Sequence, residues 1–391
     1  MLSFSNKYII VGNVIVDKKL KGYFLIDDST RNQLLSFFST RTLESIDRNT
    51  LQYLQDKGVL VGAGDSVCYN PFCLEDEMNG SRFFIKTTNK CNLYCKHCFV
   101  SSGLNESKCL SFDYMCKLLD ETVENGIWRV DFTGGEVFID KHFWDVLSYL
   151  ELKPISYNIF SNLTLLSKND IEKLSSLQGL CKIITSLDYF DAHKHNEFRG
   201  THYAYEKTMS TIFELKKSGV EVIVNSMVLD DNHKDISQLM LFLKEHDVEC
   251  HLDTLVNCGR AKTGLERSSH AEDMNNIAFI HEQLRHASGV NAHLPFGCGV
   301  CDTLLYIDES EMYSICPGLT ARENIKYSLG KVQRDAYSMS REMNLTCKEI
   351  TCKVYESCPK GCRARALGDF GDDCARDQTL CTYFNMLEDL S

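Results

Sequence analysis

Cys91-Asn-Leu-Tyr-Cys95-Lys-His-Cys98 is the stretch that decides how this chain is read. Its three thiols stand directly after a strand-like run, Arg82-Phe-Phe-Ile-Lys-Thr-Thr88. Soft thiolates select iron–sulfur clusters or zinc. A structural zinc site wants a closed set of four ligands, usually two close pairs. Three thiols instead hold three irons of a four-iron cluster and leave the fourth iron open to a substrate or cofactor. A zinc loop completed by His97 or a distant cysteine is the alternative.

Composition narrows the setting. The 391 residues suffice for two or three domains, and 43% hydrophobic with 25% charged residues is ordinary for a globular protein. No run approaches a membrane span, and Met1–Tyr8 lacks a basic region followed by an apolar one, so a cytoplasmic protein without membrane attachment is expected. Nineteen cysteines without a targeting signal point to metal binding rather than to a disulfide framework. The net charge of −12 and the lack of a basic patch exclude nucleic acid as the expected partner.

Residues 1–78 read as a small unit. Tyr8–Val11, Val14–Val16 and Tyr23–Ile26 are β-rich, and helix-like segments follow around 30–38, 41–47 and 49–57. This order suggests a winged-helix-like module. Its eight Lys/Arg against ten Asp/Glu favour a peptide over DNA as its ligand, and a structural cap on the next domain is the other reading. Residues 79–290 alternate strand candidates (82–88, 128–133, 156–161, 181–187, 221–229, 249–257) with helix candidates (111–125, 140–152, 167–178, 204–218, 233–247, 270–288). Such units imply an α/β fold, a partly closed (βα)6 barrel with its site at the C-terminal strand ends. In residues 291–391 no strand or helix period is visible, as expected of a segment organised by metal.

Asp131-Phe-Thr-Gly134-Gly135-Glu136 follows the second strand. Two glycines let backbone approach a ligand, and the Glu136 carboxylate could hold an ammonium group. Together with the thiol triple, these residues resemble the radical S-adenosylmethionine (AdoMet) superfamily. Further matches are Ser161-Asn162, Ser186-Leu-Asp188, His195-Asn-Glu-Phe-Arg199-Gly200 and Cys258-Gly259-Arg260-Ala261. The resemblance implies a [4Fe-4S] cluster on Cys91, Cys95 and Cys98. It implies AdoMet contacts from Gly134, Gly135, Glu136, Ser161, Asn162, Ser186, Asp188 and Arg199, with Arg199 on the methionine carboxylate. Two positions depart from the family. His97 stands where an aromatic residue is usual, and Leu163 where Gly usually follows the Asn.

The tail resembles the SPASM extension, which implies one or two auxiliary [4Fe-4S] clusters. By that resemblance Cys298, Cys301, Cys316 and Cys362 would hold one, and Cys347, Cys352, Cys358 and Cys381 the other, with Cys374 spare. Glu311 replaces the extension's Gly, and Cys347 precedes Cys352 by a longer spacing than usual. A zinc-ribbon-like tail is the alternative.

Such a combination resembles maturases of ribosomally made peptides. It implies a precursor peptide held by its leader, an electron donor such as flavodoxin or ferredoxin, and an oxidative thioether or carbon–carbon cross-link. Peptide epimerisation is one alternative. Formylglycine formation is another, although Pro317 stands where that family has an acidic residue. A non-catalytic metal- or leader-binding protein is the reading from a different class.

Overall fold

The computed structural model describes residues 2–40, 42–62, 71–73, 82–265, 270–284, 304–314, 316–319 and 361–382. Near the N-terminus, β1 (Leu2–Phe4), β2 (Tyr8–Val11), β3 (Val14–Asp17) and β4 (Tyr23–Leu25) precede α1 (Asp28–Thr40), α2 (Arg48–Asp56), β5 (Leu60–Gly62) and β6 (Phe72–Cys73). The order β4-β3-β2-β6 makes one sheet, and β1 pairs antiparallel with β5. Phe4, Ile10, Ile15, Leu34, Phe37 and Leu54 fill the core between them. The expected helix at 41–47 is a single 3-10 turn, Leu43–Ser45. It stops there because buried Ile46 is extended and Asp47 is needed as the cap of α2, where its carboxylate accepts from the Asn49 and Thr50 amides.

All six expected core strands form: β7 (Arg82–Lys86), β8 (Arg129–Thr133), β9 (Ser156–Phe160), β10 (Leu180–Ser186), β11 (Val222–Val228) and β12 (Glu249–Thr254). Each pairs in parallel with the next. The crossovers carry α3 (Phe112–Glu124), α4 (Phe143–Leu150), α5 (Lys168–Ser176), α6 (Ala192–Arg199), α7 (Ala204–Lys217) and α8 (His233–Glu245). Apolar residues on one face of these helices bury against alternate strand positions, as β7 illustrates. Phe83 and Ile85 are fully buried in the main core, while Phe84 and Lys86 face the other way. Two elements differ from expectation. The helix α6 lies in a polar stretch that shows no apolar period. A seventh parallel strand, β13 (Leu304–Ile307), pairs with β7, and β14 (Tyr313–Ser314) then turns back antiparallel. The segment in which no strand period is visible thus extends the core sheet past residue 290. Among the described residues, the sheet is open, with edges at β12 and β14.

Beyond β12 come α9 (Ala261–Gly264) and α10 (His270–Leu284). A last helix, Arg363–Phe370, docks on the end of β12. Buried Arg365 donates to Thr254 Oγ1 (2.6 Å) and pairs with Asp377 (2.7 Å). Among the described residues, no helix is long and apolar enough to cross a membrane.

Candidate active site

The C-terminal ends of all seven parallel strands open on one cavity of about 350 Å³. Phe84 and Lys86 come from β7, Thr133 from β8, Phe160 from β9, Ile184 and Ser186 from β10, Met227 from β11, Asp253 from β12 and Tyr306 from β13. Cys91, Cys95 and Cys98 line the same space, with Gly134, Gly135, Ser161, Asn162 and Arg199. The sheet therefore brings together nine of the eleven residues expected to hold the first cluster and AdoMet, Glu136 and Asp188 being the exceptions.

The cysteine loop is clamped from three sides. From α6, the Arg199 and Phe198 carbonyls accept from the Tyr94 (3.1 Å) and Lys96 (2.9 Å) amides. From the segment before α9, Arg260 donates through Nε to Cys95 O (2.8 Å), through Nη1 to Ser102 O (2.6 Å) and through its amide to Cys98 O (3.0 Å). Its guanidinium also lies 4.0 Å over the Tyr94 ring. From the strand end of β8, the Gly135 and Glu136 amides donate to the Thr88 (2.7 Å) and Lys90 (2.9 Å) carbonyls. The Gly135 clamp leaves no room. A Cβ there would stand 2.3 Å from Lys90 O and 2.8 Å from Cys91 Cβ. Gly135→Ala should therefore push the thiol loop out of register. The expected result is loss of most of the iron bound at this site while the circular-dichroism spectrum is unchanged. Iron retention equal to wild type would show that the loop can give way.

Glu136 and Asp188 do not point free carboxylates at the cavity. Glu136 is fully buried. Its Oε1 accepts from Ser161 Oγ (2.8 Å) and the Phe138 amide, and its Oε2 from the Asn162 amide (2.7 Å). It thus ties the end of β8 to the end of β9, and burial raises its pKa to about 7 against those hydrogen bonds. Asp188 accepts from Arg199 Nη2 (2.5 Å) and the Met227 amide (3.1 Å). Burial pushes its pKa up, but Arg199, His97, His195 and the Met227 amide together outweigh burial and lower it. Arg199 Nη1 lies 3.8 Å from Cys95 Sγ, and its enclosed Nε has no hydrogen-bond partner among the described residues. Buried His195 fixes the turn by accepting the Asp188 amide on Nδ1 (3.2 Å). His97 takes the aromatic role expected of its position, stacking on Phe198 with centroids 4.6 Å apart and planes 5° from parallel.

The donor set separates the two metal readings. All three thiols are free. Burial pushes Cys91 up to about 12 and also raises Cys95, a cost that bound metal offsets. Thiolates around a single zinc ion stand about 3.8 Å apart, given Zn–S distances of about 2.3 Å. Among the described residues, the only potential ligand trio within 4.8 Å of one another is Asp372, Asp373 and Cys374. No three of Cys91, Cys95, Cys98 and His97 lie that close, which disfavours a single zinc ion held by this loop.

Of the tail cysteines, Cys298, Cys301, Cys347, Cys352 and Cys358 lie outside the described residues. Cys316 is buried next to cavity-lining Pro317, and Cys362 caps the helix Arg363–Phe370 by accepting the Arg365 amide on sulfur (3.4 Å). Cys374 sits with Asp372 and Asp373, and Cys381 is half-buried. Several cavity residues have no signal in the sequence. The Lys86–Glu309 pair (2.8 Å) is legible only once β13 is placed beside β7. Asp253, its pKa raised by burial, emerges only as the end of a strand. Cys258 is a further half-buried thiol, raised to about 12 by burial and by neighbouring Cys362 and Cys98.

Comparison with known proteins agrees with this geometry. The Radical SAM superfamily model matches residues 85–243. The antilisterial bacteriocin subtilosin biosynthesis protein AlbA of Bacillus subtilis (strain 168) is 29% identical over 152 residues, 39% of this chain and 34% of that protein. The sporulation killing factor maturation protein SkfB of the same organism is 28% identical over 156 residues, 40% of this chain and 38% of that protein. The match thus spans little more than a third of these curated relatives. The crystal structure of Streptococcus suis SuiB bound to precursor peptide SuiA superposes with a TM-score of 0.68 at 14% identity, over 97% of this chain and 100% of that one. That likeness is one of fold.

Proposed function

Residues 85–243 being a Radical SAM domain, we propose that this chain is a radical AdoMet maturase that installs an oxidative cross-link, thioether or carbon–carbon, in a precursor peptide. The observation that carries the reading is the meeting of three free thiols with seven strand ends around one cavity. Cys91, Cys95 and Cys98 would hold a four-iron cluster, and Gly134, Gly135, Ser161, Asn162 and Ser186 would line the AdoMet side. When bound, these groups supply one-electron cleavage of AdoMet and abstraction of a hydrogen atom from substrate. The chain's own work is positioning and exclusion of water. Phe84, Phe160, Ile184 and Met227 form apolar wall, and Arg260 and Gly135 hold the thiol loop still. Asp253 is the cavity carboxylate whose raised pKa suits it to take up a proton released from the peptide. The tail cysteines would hold auxiliary clusters able to supply further one-electron chemistry, and flavodoxin or ferredoxin would be the reducing partner.

The N-terminal module would bind the peptide's leader. The outer edge of β4 has no strand partner among the described residues, and its Tyr23 and Leu25 are 72% and 71% exposed. An extended peptide can add to such an edge, with main-chain hydrogen bonds for affinity and these side chains for selection. Names of the relatives AlbA and SkfB, a bacteriocin biosynthesis protein and a killing-factor maturation protein, support the peptide reading. The test is anaerobic incubation of reconstituted protein with AdoMet, reductant and the short peptide encoded beside it. A product lighter by two hydrogens is expected. A product of unchanged mass with inverted stereochemistry would favour epimerisation, and no AdoMet cleavage at all would leave the non-catalytic reading standing.

A further inference from the structure

A second cavity, of about 560 Å³, stands apart from the one at the strand ends. It lies at the opposite end of the sheet, where the β3–β4 turn of the N-terminal module meets the starts of β10, β11 and β12. Five lysines converge on it: Lys19 and Lys21 from the turn, Lys182 from β10, Lys216 from the end of α7 and Lys244 from the end of α8. In a chain of net charge −12 this concentration runs against the overall field. The acids of the cavity do not neutralise it. Asp247 and Glu221 both sit on Lys216, at 3.0 and 3.9 Å, and Glu249 is engaged by His251 at 2.7 Å. Among the described residues, Lys19, Lys21 and Lys182 have no carboxylate within ion-pair distance.

The turn is built to hold its shape. The Lys18 carbonyl accepts from Ser156 Oγ (2.6 Å) and from the Cys181 thiol (2.9 Å), which pins the turn to the starts of β9 and β10. Within it, Leu20 adopts φ of 57° and remains 44% exposed. A branched residue in left-handed backbone costs on the order of 1 kcal/mol, and strain of this kind persists where surrounding contacts enforce it. The turn feeds directly through Gly22 into β4, whose outer edge is open. A strand added to β4 would run straight past Lys21 and Lys19 into the cavity.

We propose that this cavity binds an acidic segment of the same peptide that pairs with the edge of β4. The proposal rests on the peptide-substrate reading and names the chemistry by which a second stretch of that peptide is held. Lysines on flexible stems suit carboxylates spaced along a chain, and no arginine is present to grip phosphate bidentately.

The test is fluorescence anisotropy of a labelled oligoglutamate of about ten residues, roughly 33 Å when extended, with the reconstituted full-length protein and no reductant. Saturable binding that weakens with salt is expected. The triple variant Lys19→Glu, Lys21→Glu, Lys182→Glu should bind about tenfold or more weakly while cleaving AdoMet at the wild-type rate. A neutral Gly-Ser peptide of equal length binding as tightly, or an undiminished affinity in the variant, would overturn the proposal. So would displacement by inorganic phosphate at an ionic strength where chloride has no effect, because the ligand would then be a phosphate. Binding is read without turnover, so absence of a modified peptide in the incubation above would count against the peptide-maturase reading and leave this result intact.

Discussion

Replacing Cys91, Cys95 and Cys98 together by Ala is expected to abolish AdoMet cleavage and to remove one cluster's share of iron, with the fold intact. Each substitution deletes one sulfur. Cys91 is buried but the other two are half-buried at the cavity wall, so each truncation costs on the order of 1 kcal/mol or less. The loop's shape rests on backbone contacts from Arg199, Phe198, Arg260 and Gly135, none of which uses a thiol. Loss of these sulfurs removes the charge-bearing donors that no neighbour can replace. Iron and sulfide analysis after anaerobic reconstitution, with chromatography of deoxyadenosine, reads both outcomes. Iron that remains would be held by the C-terminal cysteines, and its amount counts the auxiliary clusters. Deoxyadenosine formed at the wild-type rate would contradict the site assignment outright.

The sequence speaks clearly where side-chain period and chemistry coincide. All six strands from Arg82 to Thr254 are legible because each is a short run rich in apolar and β-branched residues set between turn signals. Two of the departures from the resembled patterns carry information. Leu163 and Glu311 both stand where Gly is usual, and both have φ of 64°. The backbone there keeps the conformation Gly would take, and Leu163 is retained with its side chain 1% exposed in the core. The helix α6 is not legible in the sequence because Ala192–Arg199 has no apolar stripe. Its signals are the Asp191 cap, which accepts the Lys194 amide, and Gly200 at its end. The strand β13 is not legible because four residues, Leu304–Ile307, amid cysteine-rich sequence carry too little period, and its partner β7 lies more than two hundred residues earlier. The resemblance puts Arg199 on the methionine carboxylate of AdoMet, whereas the carboxylate it holds in this structure is that of Asp188. Spacing along the chain names the residue type and cannot say which of two anions it meets.

Asp188→Asn is expected to cost about 3–5 kcal/mol of stability at neutral pH and to weaken the thiol loop with it. The Asp188 and Arg199 side chains are 1% and 9% exposed, so removing the carboxylate leaves a guanidinium buried without its counter-charge, the situation that makes breaking such pairs expensive. Asn keeps an oxygen for the Met227 amide, which limits the change to charge. The loss should pass along α6, because the Arg199 carbonyl is the acceptor for Tyr94 in the cysteine loop. Reduced iron retention should therefore accompany the lower urea midpoint. The pH dependence gives the sign. Asp188 has its pKa lowered from 3.8, so its contribution is present above that value and fades as pH falls through the lower folded one. His195 is pushed by burial from 6.5 down to about 3, so the unfolded chain takes up a proton that the folded one refuses, and stability falls as pH drops from 6.5 toward 3. Wild type should accordingly lose stability through the whole acid range, and the gap between wild type and Asp188→Asn should be widest near pH 7 and narrow below 3.8. Urea melts at neutral and acidic pH measure both. Equal midpoints at neutral pH would mean that Arg199 finds another partner, with Cys95 Sγ at 3.8 Å the first to examine by its spectroscopic signature.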